Sequence, residues 1–291
     1  MPAHPLAPLL DLPGVAQAVD EARAACTELR WHPGLRRGWQ VARAEAGVRC
    51  AWGGLAMDGL SVPLTTVRAR AAGLEDSLGV ERGTDPAEAA VRGAVRVQAA
   101  VVGDWGQPGA PARRVPLGQL LARLHTAALA DAGAARLRVD EGPGDLRGLG
   151  PAVLGAELAA RIASLATLDA TPVRSAGRGL TRGGEAVPGI VVASVLLGEL
   201  MSLRPFASSN AVVARAVFRR RLTADGVDAV GVVVPEVEWS AAPLVHLSAA
   251  AGYATGTPDG VAAWVRHCAG AVVSGAAEGA DVAAAVGGAT G

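Results

Sequence analysis

The sequence predicts an all-α protein, a helical bundle, on three observations. Apolar residues recur at helical spacing, as in Leu117, Leu120, Leu121, Leu124 and Ala128. Proline and glycine cluster between such segments, where they start and stop helices. Alternation of apolar and polar residues is rare, and Val230 to Val234 is the one run that suits a strand.

Taken in order, Gly14 to Arg30 and Leu35 to Met57 read as helices, with Pro13 ahead of the first and His32-Pro33-Gly34 breaking the chain between them. Ser61-Val62-Pro63-Leu64 opens a short helix. Thr84-Asp85-Pro86 gives an N-cap and a first-turn proline to a helix running to about Val102. Gly103 to Pro116 is a Gly/Pro loop before the helix Leu117 to Leu129. The glycine-rich loop Asp140 to Gly150 precedes an amphipathic helix over Ala152 to Leu168, and breakers from Thr171 to Pro188 precede the apolar helix Gly189 to Leu203. Pro205 stops that helix, and the next begins near Ser208 and runs to Asp225. Helices follow at Leu244 to Ala250 and Pro258 to Val273, and the Ala/Gly tail is expected to fray at its end.

Composition removes several chemistries. The chain has 291 residues, 27 positive and 27 negative side chains, and every basic one is arginine. Without lysine there is no Walker-A loop, no kinase-type lysine and no Schiff-base nucleophile. A net charge of zero gives no general attraction to nucleic acid or to an acidic membrane. Arg219, Arg220 and Arg221 form the one sharp basic run, expected as a solvated helix face or as packing. Cys26, Cys50 and Cys268 are far apart and odd in number, which suits reduced thiols. The proline-broken start lacks the basic region of a secretory signal, and the apolar stretch Val187 to Leu203 carries Glu199 and is too short to span a bilayer. The expectation is a cytoplasmic protein without membrane or nucleic-acid partners.

The most informative stretch runs from Ser202 to Arg215: a helix end, the loop Arg204-Pro205-Phe206-Ala207, and a new helix whose first turn holds Ser208, Ser209 and Asn210. The exposed amides and positive dipole end of such a turn make an anion cradle. A capped helix with a structural Pro-Phe anchor is the plain alternative. Asn210 is the sole asparagine of the chain.

This stretch resembles the Fic (Fido) family, whose members transfer AMP from ATP to protein hydroxyls. The family signature is His-Pro-Phe, any residue, an acidic residue, Gly-Asn-Gly-Arg, two residues and Arg. Pro205, Phe206, Asn210 and Arg215 match in register. The preceding apolar helix with Glu199 and the downstream Tyr253 and Trp264 extend the likeness over roughly Pro86 to Gly279. Upstream, Gly54 to Gly59 is similar to the family's autoinhibitory helix, with Asp58-Gly59 for its Glu-Gly pair and Gly54 for its hydroxyl residue; a helix C-cap at Gly59 is the alternative. The resemblance implies three regions: an N-terminal helical extension (1–83), a Fic-like core (84–279) and the tail (280–291).

The departures bear on function. Arg204 stands where the family's histidine acts as general base, and arginine stays protonated at neutral pH. Ser208 replaces the acidic residue that helps hold magnesium, so magnesium binding is disfavoured and no cofactor is required. Ser209 and Ala211 replace the glycines. Val212 replaces the first arginine, which leaves Asp58 without the partner the resemblance would give it. The expectation is a non-AMPylating pseudoenzyme in which Arg204, Ser208, Ser209, Asn210 and Arg215 hold a nucleotide or another phosphate-bearing ligand, acting in regulation or on a protein partner. The alternatives are an active transferase of AMP or another phosphate-containing group using Arg204, and a helical interaction protein without a ligand, for which Trp31, Trp39 and Trp52 offer a surface if they are not core.

The remaining residues read as structural. His125 sits at the edge of an apolar helical face, and His246 and His267 lack ligand-spaced partners, because His267 and Cys268 point about 100° apart on a helix. No metal site is expected. Gly148-x-Gly150 and Gly177-x-Gly179 follow no strand, so neither is a dinucleotide fingerprint, and Asp140-Glu141 is a solvated pair.

Overall fold

A computed structural model describes residues 4–74, 85–110, 115–129, 133, 135–171, 173 and 187–289. The expected boundary at 83/84, Thr84, Gly177, Gly179 and the last two residues of the tail lie outside them. The described residues form α1 (Val15–Arg30), α2 (Leu35–Met57), α3 (Leu64–Ala71), α4 (Pro86–Val102), α5 (Leu117–Ala128), α6 (Gly155–Ala170), α7 (Gly189–Leu203), α8 (Asn210–Ala224), α9 (Glu236–Ala241), α10 (Pro243–Ala254) and α11 (Pro258–Ala289). No strand occurs among them, so the protein is all-α.

Each start has a local cause. The side chain of Asp85 accepts from the amide of Ala87, and Pro86 opens α4. Pro188, Pro243 and the left-handed Gly14 precede α7, the body of α10 and α1. α2 ends in a Schellman turn: Gly59 has φ +85°, its amide bonds to Ala56 O, and Leu60 N bonds to Leu55 O. The alternative of a helix C-cap at Gly59 is therefore the observed local structure.

α7 runs through the centre, buried along nearly its whole length, with α8, α6, α10 and α11 around it. A helix apolar on every side must be enclosed by other helices. At Gly198 an added Cβ would meet the Tyr253 and Trp264 rings at 2.7 and 2.8 Å, so glycine is what lets α10 and α11 approach. One hydrophobic core extends from Val15 to Ala283: α1 packs on α11, and α2 packs on α4, α9 and α11.

Several expectations are corrected. The helix expected over Ala152 to Leu168 begins at Gly155, because the chain is extended at Leu154 (φ −128°, ψ 165°). Val230 to Val234 is not a strand. Asp228 accepts the amides of Gly231 and Val233 at 2.8 Å each, and Val234 N bonds to Gly275 O, so a carboxylate takes amides that a ladder would have used. α9 was not foreseen. The last helix does not end near Val273: α11 continues to Ala289, with Val282 and Ala283 buried, and the very end of the tail, where fraying is expected, lies outside the described residues. By length and apolarity α11 would cross a bilayer, but it packs against five other helices of the core.

The arginine run is no solvated face. Arg219 bonds to Gln98 Oε1 at 2.7 Å and Gly231 O at 2.9 Å, Arg220 pairs with Asp104, and Arg221 pairs with Asp169 and Asp225. Of the tryptophans, Trp31 is 71% exposed, Trp39 is half-buried under the Arg43 guanidinium, and Trp52 lies at the surface with its Nε1–H on Val62 O.

Candidate functional site

The site is built where α7 ends and α8 begins. Pro205 forbids helix continuation, and the chain turns through Arg204 in the left-handed region (φ +45°). Phe206 is buried and stacks on His125 with centroids 3.8 Å apart and planes within 5°. His125 Nε2 lies 3.2 Å from Ser208 O, so that nitrogen carries the proton, and burial pushes the ring pKa down. His125 is thus a core histidine that supports the loop.

Asn210 closes the loop from inside. Its Oδ1 accepts from Phe206 N at 2.8 Å, and its Nδ2 donates to Phe206 O at 2.8 Å. Ser209, the N-cap of α8, has φ +61°. That conformation favours glycine, the residue the family signature has at this position. Ser208 is exposed, and its carbonyl is the one held by His125.

Two residues stand where a ligand was expected to find open donors. The carboxylate of Asp145 accepts from Asn210 N and from Asn210 Nδ2, each at 2.7 Å. It occupies the first amide of α8, the natural seat of an external anion. Arg204 does not offer its charge to the loop. Its guanidinium donates to Leu146 O at 3.0 Å, Gly150 O at 2.6 Å and Ser202 O at 3.2 Å, and the residue is 2% exposed. Arg204, expected to offer a new cation to a ligand, here binds carbonyls of the glycine-rich loop.

A second buried arginine fastens the same two segments. Arg138 donates to Arg204 O at 2.6 Å, Leu203 O at 2.8 Å and Glu141 O at 2.8 Å, while its own amide bonds to Pro205 O. Gly144 N bonds to Ala207 O at 2.8 Å. Burial lowers the pKa of both guanidiniums from the ordinary arginine value; the Arg138 charge adds to the lowering at Arg204, and the nearby Asp145 charge opposes it at both.

On the other side of α8, Arg215 meets the end of α2. Its Nη2 and Nη1 lie 2.7 and 3.1 Å from the Asp58 carboxylate oxygens, and Nη2 also donates to Gly54 O at 3.2 Å. Burial by itself would lower the Arg215 pKa; the charge and hydrogen bond of Asp58, with the charges of Glu236 and Asp145, together more than offset it, and the net direction is up. Asp58 is therefore not left without an arginine. The helical register brings Arg215 to it in place of the residue missing at Val212. Gly54 also has a reason, since an added Cβ there would sit 3.2 Å from Arg215 Nη2.

Between these elements lies a cavity of about 650 Å³, lined by Asp58, Asp145, Ser209, Arg215 and His246 among others. It brings together three of the expected site residues, Asp58, Ser209 and Arg215. Arg204, Ser208 and Asn210 are not on its wall. His246, 3% exposed, has Nδ1 3.0 Å from His267 Nε2 and packs on the Trp239 and Trp264 rings. Burial, with His267 and Arg215 adding to it, pushes its pKa down to about 3, so the ring is neutral. Among the described residues its Nε2 has no partner.

Asp145 and His246 were not foreseen as site residues. Asp145 follows Gly142-Pro143-Gly144, where an aspartate is an ordinary turn residue, and only the folded chain sets it on Asn210. His246 carried no ligand-spaced partner, and its neighbour His267 comes from the next helix. Among the described residues no three His, Cys, Asp or Glu side chains gather as a metal cluster.

No family model matches the sequence, and no curated protein matches it. Solved structures do match in fold. A Fic family protein from Desulfovibrio desulfuricans G20 aligns with a TM-score of 0.62 at 17% identity, over 91% of this chain and 74% of that one. Residues 134–508 of Fic-1 from C. elegans align with a TM-score of 0.60 at 15% identity, over 92% of this chain and 71% of that one. An apolar central helix, a proline-enforced loop and an asparagine-headed helix thus sit in a bundle whose fold is that of Fic family proteins.

Proposed function

We propose that this chain is a Fic-fold pseudoenzyme: a protein of AMP-transferase ancestry that no longer transfers AMP and acts by binding, in regulation or on a protein partner. The observation that carries this reading is the Asp145 carboxylate on the first amide and the side chain of Asn210. Those donors would have to hold the phosphates of a nucleotide in transfer. The absent base agrees with it, since Arg204 is committed to carbonyls and cannot accept a proton at neutral pH. Base removal alone costs on the order of 10² to 10⁴ in rate. No metal enters the reading, because Ser208 offers a hydroxyl where a hard cation needs a carboxylate.

The ligand class remains a nucleotide or another phosphate-bearing molecule, supported by Arg215 and the first turn of α8 on one cavity wall. Such a ligand meets Asp58 and Asp145 as competitors. The test is incubation of the purified protein with labelled ATP, alone and in cell lysate. The expected result is no label on any protein, for the native chain and for Asn210→Ala alike. Label that disappears on Asn210→Ala or Arg204→Ala would overturn the proposal in favour of an active transferase.

A further inference from the structure

We propose that the turn between α1 and α2 is a docking surface for an acidic segment of a partner protein, with Trp31 as its apolar anchor and Arg30, Arg36 and Arg37 as its charged contacts. This goes beyond the proposed function. From Arg36 to Asp58 α2 is about 33 Å long, so the turn lies at the other end of that helix from the cavity and stands apart from any ligand held there.

The turn is firmly built, yet it leaves its largest side chain outside. Leu29 and Leu35 flank it and are buried, Gly34 N bonds to His32 Nδ1 at 3.2 Å, and the last turns of α11 press on Gly34 and Gly38. Between these anchors Trp31 is 71% exposed, with the Arg30 guanidinium 5.5 Å from its ring centroid. Tryptophan is highly buried on average, so an exposed one on an ordered turn is not explained by the packing of this chain. Tryptophan and arginine are also the residues enriched where interfaces gain most of their affinity. Because the backbone here is already held, binding costs little further ordering.

Charge supplies the second, independent observation. Arg30, Arg36 and Arg37 are exposed, and among the described residues none of them forms an ion pair or a side-chain hydrogen bond. Arginines elsewhere are committed: Arg215, Arg220 and Arg221 pair with carboxylates, while Arg43, Arg138 and Arg204 bind carbonyls. Arg36 and Arg37 also stand in the first turn of α2, which holds no acidic residue. Positive side chains there meet the positive end of the helix dipole, an arrangement that disfavours the helix. Three cations gathered within eight residues of chain therefore lack a counterpart that the described residues could supply. Guanidinium groups take carboxylates in bidentate pairs, which makes an acidic segment the complementary partner.

The number of groups separates this partner from other anions. Recruitment to an acidic membrane takes clusters of about four to eight basic residues, and the turn has three. Single-stranded nucleic acid is tracked by successive aromatic platforms along a basic groove, whereas this turn exposes one ring. A short protein segment with carboxylates around an apolar socket needs only one anchor beside a few cations.

The experiment is fluorescence anisotropy of a labelled peptide of repeated Glu-Glu-Leu-Leu units titrated with the full chain. Saturable binding is expected, weakened at least about thirty-fold by Trp31→Ala and likewise by the double variant Arg36→Glu, Arg37→Glu. Added salt should weaken binding to the native chain, and the same peptide with lysine for glutamate should not bind. Both variants change exposed side chains, and unchanged urea midpoints verify that they fold. No saturation up to about a millimolar of native chain, or equal binding by native and both variants, would overturn the proposal. Tighter binding to phosphatidylserine vesicles or to oligothymidylate than to the peptide would overturn it as well, by giving the surface to a lipid or a nucleic acid. Labelling from ATP would refute the pseudoenzyme reading and leave this comparison standing.

Discussion

Leu146, Arg204 and Ser209 have left-handed backbones (φ 53°, 45° and 61°) and are the non-glycine residues with positive φ among those described. All three lie in two facing loops. Each such residue costs about 1–2 kcal/mol, and the surrounding bonds hold it there. Two outcomes follow for single side chains. Ser209→Gly relieves the strain and is expected to raise stability by about 1 kcal/mol, measured by urea unfolding. Arg204→His restores the signature histidine, yet it withdraws donors from Leu146 O and Gly150 O. It is expected to lower stability by roughly 2–4 kcal/mol without producing AMP transfer from labelled ATP, because Asp145 still holds Asn210.

At the scale of elements, α11 does what the sequence did not foresee. Its last turns pack on the loop and first turns of α2: an added Cβ at Gly34 would lie 2.0 Å from Ala283 O, and one at Gly38 would meet Val286 at 2.5 Å. Gly34→Ala is expected to cost about 1–3 kcal/mol through overpacking. Gly288→Ala, with nothing within 4 Å, should be neutral or slightly stabilising. A urea series on the two variants distinguishes a docked terminus from a frayed one, for which both substitutions would be silent. Composition alone suggested fraying, since Ala and Gly bury little surface. The same small residues are what allow helix backbones to approach.

Over the whole molecule, stability is expected to fall on the acid side sooner than carboxylate titration would bring. Burial lowers the pKa of His246 to about 3, and lowers those of His125 and His267. In the unfolded chain these rings take up protons near pH 6.5, the ordinary value, whereas the folded protein keeps them neutral. The unfolded state then binds more protons, so their contribution is complete above about pH 6.5 and is lost as pH falls through the folded values. Urea midpoints at several pH values between 8 and 5 measure this, and His246→Gln should flatten the decline.

The sequence by itself determined the helices, because their caps, breaks and apolar spacing are local: α2 and α7 begin and end at the residues expected. It also determined that position 204 offers no general base, since no fold makes Arg204 a proton acceptor at neutral pH. It singled out the candidate loop through Pro205, Phe206, Asn210 and Arg215. The tertiary structure decided what those residues touch. It took Arg204 out of the cavity, gave Asp58 to Arg215, set Asp145 on Asn210 and brought His246 to the cavity wall. Such pairings join residues 54 to 157 positions apart. Spacing along a chain encodes a helix face, but no local pattern records which distant carboxylate reaches which donor.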